Sequence, residues 1–211
     1  MTLAELRREY TLAGFRRADL DPDPIAQFQK WFTQALQAEI VEPNAMTLAT
    51  VGGDGQPSSR IVLLKAVDQR GFSFFTNYES RKGRELAENP KASLTFFWAG
   101  LERQISVAGA VSKLSREESE AYFAARPHGS QRGAWVSKQS QIVANREFLE
   151  KRLAEVEAQF GDKVPMPPYW GGYVLTPHSL EFWQGRPNRL HDRLRYQKNP
   201  DGTWLIERLS P

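Results

Sequence analysis

Residues 46–67 read Met-Thr-Leu-Ala-Thr-Val-Gly-Gly-Asp-Gly-Gln-Pro-Ser-Ser-Arg-Ile-Val-Leu-Leu-Lys-Ala-Val. The apolar and β-branched residues of 46–51 and 59–67 suit extended backbone. Gly52, Gly53, Asp54, Gly55 and Pro57 between them supply turn residues, so the stretch predicts a β-hairpin. Outward from it, strand-like runs recur at 71–77, 92–98 and about 103–114. The last third adds runs near 172–175, 180–184, 190–196 and 204–209, the final one following an Asn199-Pro-Asp-Gly202 turn. Short turns between successive strands favour antiparallel pairing over an alternating parallel design. The expected fold is mainly β, a closed or nearly closed antiparallel barrel with peripheral helices, because closure removes exposed sheet edges.

The helical signals are local and chemical. Thr2 and Glu5 stand at capping-box spacing ahead of a short charged segment that reaches Tyr10. Asp23 before Pro24 opens a helix in which Ile25, Phe28, Phe32 and Leu36 recur at helical spacing. Ser80 caps a short helix that runs to Glu88 and stops at Asn89-Pro90. Ser115 and Glu118 form a second capping box, whose helix carries Tyr122 and Arg126 and stops at Pro127. Residues 145–160 are amphipathic and end at Gly161.

At 211 residues, 40% hydrophobic and 25% charged, the chain is long enough for one well-buried core, and no window is biased enough to mark a linker or disordered tail. The net charge of +3 and a pI near 9.2 make anionic partners more natural than cationic ones. With no cysteine, thiolate chemistry, disulfides and Cys-ligated zinc are excluded. No run approaches the roughly 18 apolar residues of a membrane span, so a cytoplasmic protein with no membrane partner is expected.

Four groups of residues carry possible chemistry. In Arg60-Ile-Val-Leu-Leu-Lys65, the two cations are five residues apart and alternation sends them to opposite faces of an apolar ribbon; each reads equally as a solvated strand end. Ser80, Arg81 and Lys82 place a cap and two cations in one first helical turn, where free N–H groups favour an anion, although a solvated helix face has the same appearance. Tyr122 and Arg126, one turn apart, and Ser130 after the proline can converge on one phosphate; the alternative is an ordinary Tyr–Arg surface pair. Arg189, His191 and Arg193 share a period of two, which on an extended strand lines them along one face, and the flanking cations predict a neutral imidazole. Asp192 alternates away and receives no catalytic role. His128 and His178 lack carboxylates at ligand spacing, so no metal site is expected.

Taken together and in order, Arg7-Arg-Glu-Tyr10, Arg60-Ile-Val-Leu-Leu-Lys65, Ser80-Arg-Lys82, Leu101-Glu-Arg-Gln104, Trp135-Val-Ser-Lys-Gln-Ser140, and Phe182-Trp-Gln-Gly185 with Arg189-Leu-His-Asp-Arg193 closely resemble the pyridoxamine 5'-phosphate oxidase family. Each motif is weak alone; six in register from about residue 6 to the C-terminus are specific. The resemblance implies an FMN-binding split β-barrel, Greek-key-like, that forms a homodimer with the flavin at the subunit interface. It implies a lid segment over residues 1–20 and a single domain over 21–211, with a dimerisation and active-site region at about 165–211. FMN-contacting positions fall on Arg60, Ile61, Val62, Leu63, Leu64, Lys65, Phe75, Thr76, Arg81, Lys82, Gln104, Gln139, Ser140, Trp183 and Arg193. Substrate phosphate falls to Lys65, Tyr122, Arg126 and Ser130, the pyridine ring to Arg189 and His191, which are the catalytic candidates, and the closing lid to Arg7 and Tyr10. Phe75 stands where many relatives carry tyrosine, and Phe97 where proline is frequent.

The implied reaction oxidises pyridoxamine or pyridoxine 5'-phosphate at C4', with FMN as acceptor and O2 as final oxidant, giving H2O2. Two other classes compete. A non-catalytic FMN or pyridoxal-phosphate binding barrel needs only the anion anchors and leaves the Arg189, His191, Arg193 group unexplained. A single-stranded nucleic-acid binder needs a continuous basic and aromatic stripe, whereas these cations fall in discrete clusters, so no nucleic-acid partner is expected.

Overall fold

Asp23 accepts the Ile25 N–H and Pro24 begins helix α1 (Pro24–Gln37) as expected, but its buried face is Ile25, Phe28, Trp31 and Ala35, with Phe32 only partly buried and Leu36 turned to solvent, so the face is rotated from the one the spacing predicts. The buried face enters a curved antiparallel sheet: Phe28 meets Phe72 and Phe96 at 4.9 and 5.1 Å between ring centroids, and Trp31 meets Phe182 at 5.2 Å. The computed structural model describes residues 2, 3, 6, 9–12 and 14–211. Glu5 of the expected N-terminal capping box, and Arg7 and Arg8 of the lid motif, lie outside the described residues.

The strands are β1 (Ala45–Val51), β2 (Pro57–Leu63), β3 (Ala66–Asp68), β4 (Gly71–Asn77), β5 (Lys91–Trp98), β6 (Arg103–Lys113), β7 (Trp170–Gln184), β8 (Asp192–Lys198) and β9 (Trp204–Arg208). Those described form one sheet in the order β2-β1-β5-β6-β7-β4-β3, with β8 and β9 extending from β7. The jumps from β1 to β5 and from β4 to β7 make the connectivity Greek-key-like, and every pairing is antiparallel. The two ends of the main path, β2 and β3, are neighbours in sequence, so the sheet curls round on itself as a split barrel. Helices α2 (Arg81–Glu88), α3 (Arg116–Ala124), α4 (His128–Val136) and α5 (Arg146–Phe160) are peripheral. Ser80, the Ser115/Glu118 box and Gly161 punctuate them as expected.

Four further expectations are corrected. Residues 59–67 are not one strand: at Leu64 the N–H bonds the Asn44 carbonyl, at Lys65 the Ser73 carbonyl, each at 2.8 Å, so the chain changes partners there and closes the barrel. The runs at 172–175 and 180–184 belong to one strand, β7, because a bulge absorbs Pro177: the pairing steps from Ala108 opposite Ser179 to Gly109 opposite Pro177. Gly109 permits the close approach, since any Cβ there would collide with the Thr176 carbonyl oxygen. The segment 190–196 becomes strand only at Asp192, after a 3-10 turn at Pro187–Arg189. Finally, α3 ends at Ala124, before Arg126, and an unexpected helix, α4, follows Pro127.

Candidate active site

The Leu64–Lys65 crossing puts the β2 end beside β4 and opposite α3 and α4, and between them lies a cleft of about 580 Å³. Ile61, Val62, Leu63, Lys65, Phe75, Thr76, Lys82, Tyr122, Arg126, Ser130 and Gln139 line it, joined by Trp170 and the α4 residues Gly133 and Ala134. Leu64 faces the core instead and is buried.

Two cationic groups share this cleft. In the first, Arg126 lies over Trp170, 4.7 Å from the ring centroid, while Trp170, Phe75 and Tyr122 are nearly parallel, Phe75 and Tyr122 only 3.9 Å apart. Burial lowers the pKa of Arg126, opposed by Tyr122. Its Nη1 is buried and meets no hydrogen-bond acceptor among the described residues. A buried donor of this kind is costly unless a ligand supplies the acceptor. In the second, Lys82 Nζ donates to Gln139 Oε1 at 2.7 Å and Thr76 Oγ1 at 3.3 Å. Burial and the nearby Arg60 charge lower its pKa to about 8, against the opposing pull of Glu85. Behind it, Arg60 and Arg81 both reach Glu85, at 3.4 and 2.8 Å, and the Arg81 N–H donates to Ser140 Oγ at 3.2 Å.

A second cleft, of about 540 Å³, holds Tyr10, Trp183, Arg189 and His191 with Leu6, Glu9, Arg186 and Asn188, and its lining shares no residue with the first. Tyr10 meets Trp183 edge-on at 5.4 Å and His191 at 5.7 Å, and it packs on the bare backbone of Gly185. The N-terminal segment is tied down there: Glu102 accepts the Thr11 and Leu12 N–H groups at 3.0 and 3.1 Å, and Asp192 accepts that of Phe15 at 3.0 Å. His191 Nδ1 accepts the Arg186 N–H at 3.1 Å. Burial and the Arg189 charge lower the imidazole pKa, which keeps the ring neutral as the sequence predicts.

The common strand face expected for Arg189, His191 and Arg193 is not formed. Asn188 and Arg189 have φ of 57° and 60°, so the backbone turns there, and asparagine tolerates that region at low cost. Arg193 alone is on β8, where Glu181 takes its guanidinium at 2.7 and 3.0 Å. Gln104, opposite Trp183 in the sheet, reaches Ser106 Oγ at 3.5 Å. Neither Arg193 nor Gln104 lines either cleft. Sequence reading missed Glu85, Trp170 and Arg186. For Glu85 the i, i+4 spacing from Arg81 was a signal; for the other two there was none. Among the described residues no group of three or more His, Asp or Glu is placed to hold a metal ion, and no helix is long and apolar enough to cross a membrane.

The chain is thus a split barrel with two cationic groups in one cleft and an aromatic, imidazole-bearing second cleft. Residues 32–160 match the family model described as pyridoxamine 5'-phosphate oxidase, and residues 170–211 match that described as the pyridoxine 5'-phosphate oxidase C-terminal dimerisation region. The chain belongs to the pyridoxamine 5'-phosphate oxidase family. It is 60% identical over 209 residues to a pyridoxine/pyridoxamine 5'-phosphate oxidase of Cupriavidus metallidurans, with 99% of each chain covered. A protein of the same description from Paraburkholderia phymatum is 58% identical over 210 residues, covering 100% of this chain and 99% of that one. The structure of PhzG from Burkholderia lata, in complex with tetrahydrophenazine-1-carboxylic acid, superposes with a TM-score of 0.90 at 34% identity, over 97% of this chain and 100% of its own.

Proposed function

We propose that this oxidoreductase converts pyridoxamine 5'-phosphate and pyridoxine 5'-phosphate to pyridoxal 5'-phosphate with FMN as its cofactor. The observation that carries the reading is the division of labour between the clefts. One holds the unsatisfied Arg126 and the Lys82 cluster, enough to anchor two phosphates, one from the cofactor and one from the substrate. The other holds the indole, imidazole and guanidinium that suit an aromatic heterocycle but sits on a separate surface. In a homodimer, the second cleft of one subunit closes over the first cleft of the other, which fits the match of residues 170–211 to a dimerisation region.

The chemistry supplied by FMN when bound is two-electron oxidation at C4', with O2 as final oxidant reduced to H2O2; the amine substrate also consumes water and releases ammonia. The chain's own residues bind and orient. Arg126, Lys65, Tyr122 and Ser130 hold the substrate phosphate, which gives Arg126 Nη1 its missing acceptor and converts binding into orientation. Thr76, Lys82 and Gln139, backed by Arg60, Arg81 and Ser140, hold the cofactor. Because Nδ1 of His191 is already an acceptor, the neutral ring carries its proton on Nε2. His191 therefore donates a hydrogen bond to the substrate and aligns it with Arg189, and Tyr10 covers the pair.

The test is an absorbance spectrum of the purified protein, then pyridoxamine or pyridoxine 5'-phosphate in air with peroxide and aldehyde monitored. Flavin bands with both products support the reading. Flavin bands without products favour the non-catalytic binding barrel, and failure to take up FMN sinks both. Arg189→Ala lowers turnover while leaving FMN content unchanged; equal loss of both removes Arg189 from the substrate.

A further inference from the structure

Glu85 is a buried carboxylate among cations that the anion-binding cleft needs. Its Oε2 receives hydrogen bonds from Thr50 Oγ1 at 2.5 Å and Ser58 Oγ at 2.6 Å, and Arg60 Nη2 lies 3.4 Å away. Its Oε1 receives Arg81 Nε at 2.8 Å, one helical turn back on α2. Arg60 in turn donates Nη1 to Thr50 Oγ1 and Nη2 to Ser58 Oγ, each at 2.5 Å. A hydroxyl has one proton to give. With both protons drawn to the carboxylate, Thr50 and Ser58 turn lone pairs toward Arg60, and the guanidinium is fixed on a proton-ordered frame. Burial raises the Glu85 pKa, but the bonds from Ser58, Thr50 and Arg81 and the Arg60 charge outweigh it and hold the group down to about 2. The frame is therefore intact at any working pH.

Resting on the reading that FMN is the cofactor, we infer that Glu85 is a positioning residue for its phosphate, acting through Arg60 and Arg81 without touching the ligand. The charge count agrees: Arg60, Arg81 and Lys82 less Glu85 leave two positive charges, which match a phosphate monoester dianion. An amide at 85 breaks the order. A Gln Nε2 in the Oε2 position donates to the hydroxyls instead of accepting from them, so nothing draws their protons away and their lone pairs are no longer reserved for Arg60.

The experiment measures FMN dissociation constants by quenching of flavin fluorescence for the full-length apo forms of the wild type, Glu85→Gln, Arg60→Met and the double variant, well below their unfolding temperatures. The wild type binds FMN; Glu85→Gln weakens binding about tenfold, the loss of a charge-assisted bond. In the Arg60→Met background the same substitution costs only about twofold, because only Arg81 is left for it to act through. An unchanged constant in Glu85→Gln, or an equal loss in both backgrounds, overturns the inference while the cofactor reading stands. A wild type that takes up no FMN overturns the reading itself. Should Glu85→Gln not fold, Ser58→Ala removes one hydroxyl and keeps the carboxylate: weakening by about threefold supports the frame, and no change overturns it.

Discussion

The two cationic groups of the large cleft reach the same net charge by opposite routes. Arg126 and Lys65 carry two positive charges, and Arg126 rests on an indole and a phenyl ring instead of a carboxylate. Arg60, Arg81 and Lys82 carry three, and Glu85 cancels one. An aromatic support leaves the guanidinium's charge and its Nη1 donor unspent, at the cost of a destabilised empty site. An internal acid gives the second group its geometry before any ligand arrives, at the cost of some attraction. The first arrangement suits a ligand that comes and goes each turnover, the second a resident cofactor.

The largest test of this contrast removes the unspent charge. Arg126→Ala raises KM for pyridoxine 5'-phosphate about 100-fold, the scale of a buried charge-assisted contact, with FMN content unchanged. An unaltered KM takes Arg126 out of the phosphate site. A gentler test converts one group into the other: Ser130→Asp sets a carboxylate in the same wall as Arg126. It raises KM about tenfold and, by pairing a cation that had no acceptor, raises the apo melting temperature. A lower KM, or a fall in melting temperature, breaks the comparison at its root.

Neither route was readable from the local sequence, although most of the scaffold was. The hairpin at 46–67, helix α1 and the caps at Ser80 and Ser115 were legible because periodicity and capping are local. The break at Leu64–Lys65 was not, because it is set by carbonyls of Asn44 and Ser73, which nothing in 59–67 announces. Helix α4 has glycines at 129 and 133 and no side-chain cap at Pro127, so propensity argued against it; Trp135 and Ala134, packed beside the small Phe123–Trp170 core, hold it. The period of two across Arg189, His191 and Arg193 misled because it presumes extended backbone, which the left-handed pair at 188 and 189 interrupts. The Glu85–Arg81 spacing was visible, but Thr50 and Ser58 are 35 and 27 residues from Glu85, and only the barrel joins them.

The finest test concerns Lys82, the ligand-facing member of the buffered group. The groups around it are Arg60, which with burial pushes its pKa down to about 8, and Glu85, which pulls it up. A lysine with a depressed pKa is charged below that value and neutral above it, so its attraction for phosphate is complete at pH 7 and is lost as pH rises through about 8. FMN affinity of the wild type therefore falls a few-fold, about the contribution of one partly screened cation, between pH 7 and pH 9. Because phosphate favours the ammonium form, binding in the upper part of that window takes up a proton, which calorimetry in buffers of different ionisation enthalpy registers. Lys82→Gln starts from the weaker affinity and shows neither the pH step nor the proton uptake. If the wild type is flat from pH 7 to 9, Lys82 stays charged throughout. Glu85 and its hydroxyl frame then stabilise the whole cationic group, not the two arginines alone, and the second region is buffered more completely than the geometry around Arg60 requires.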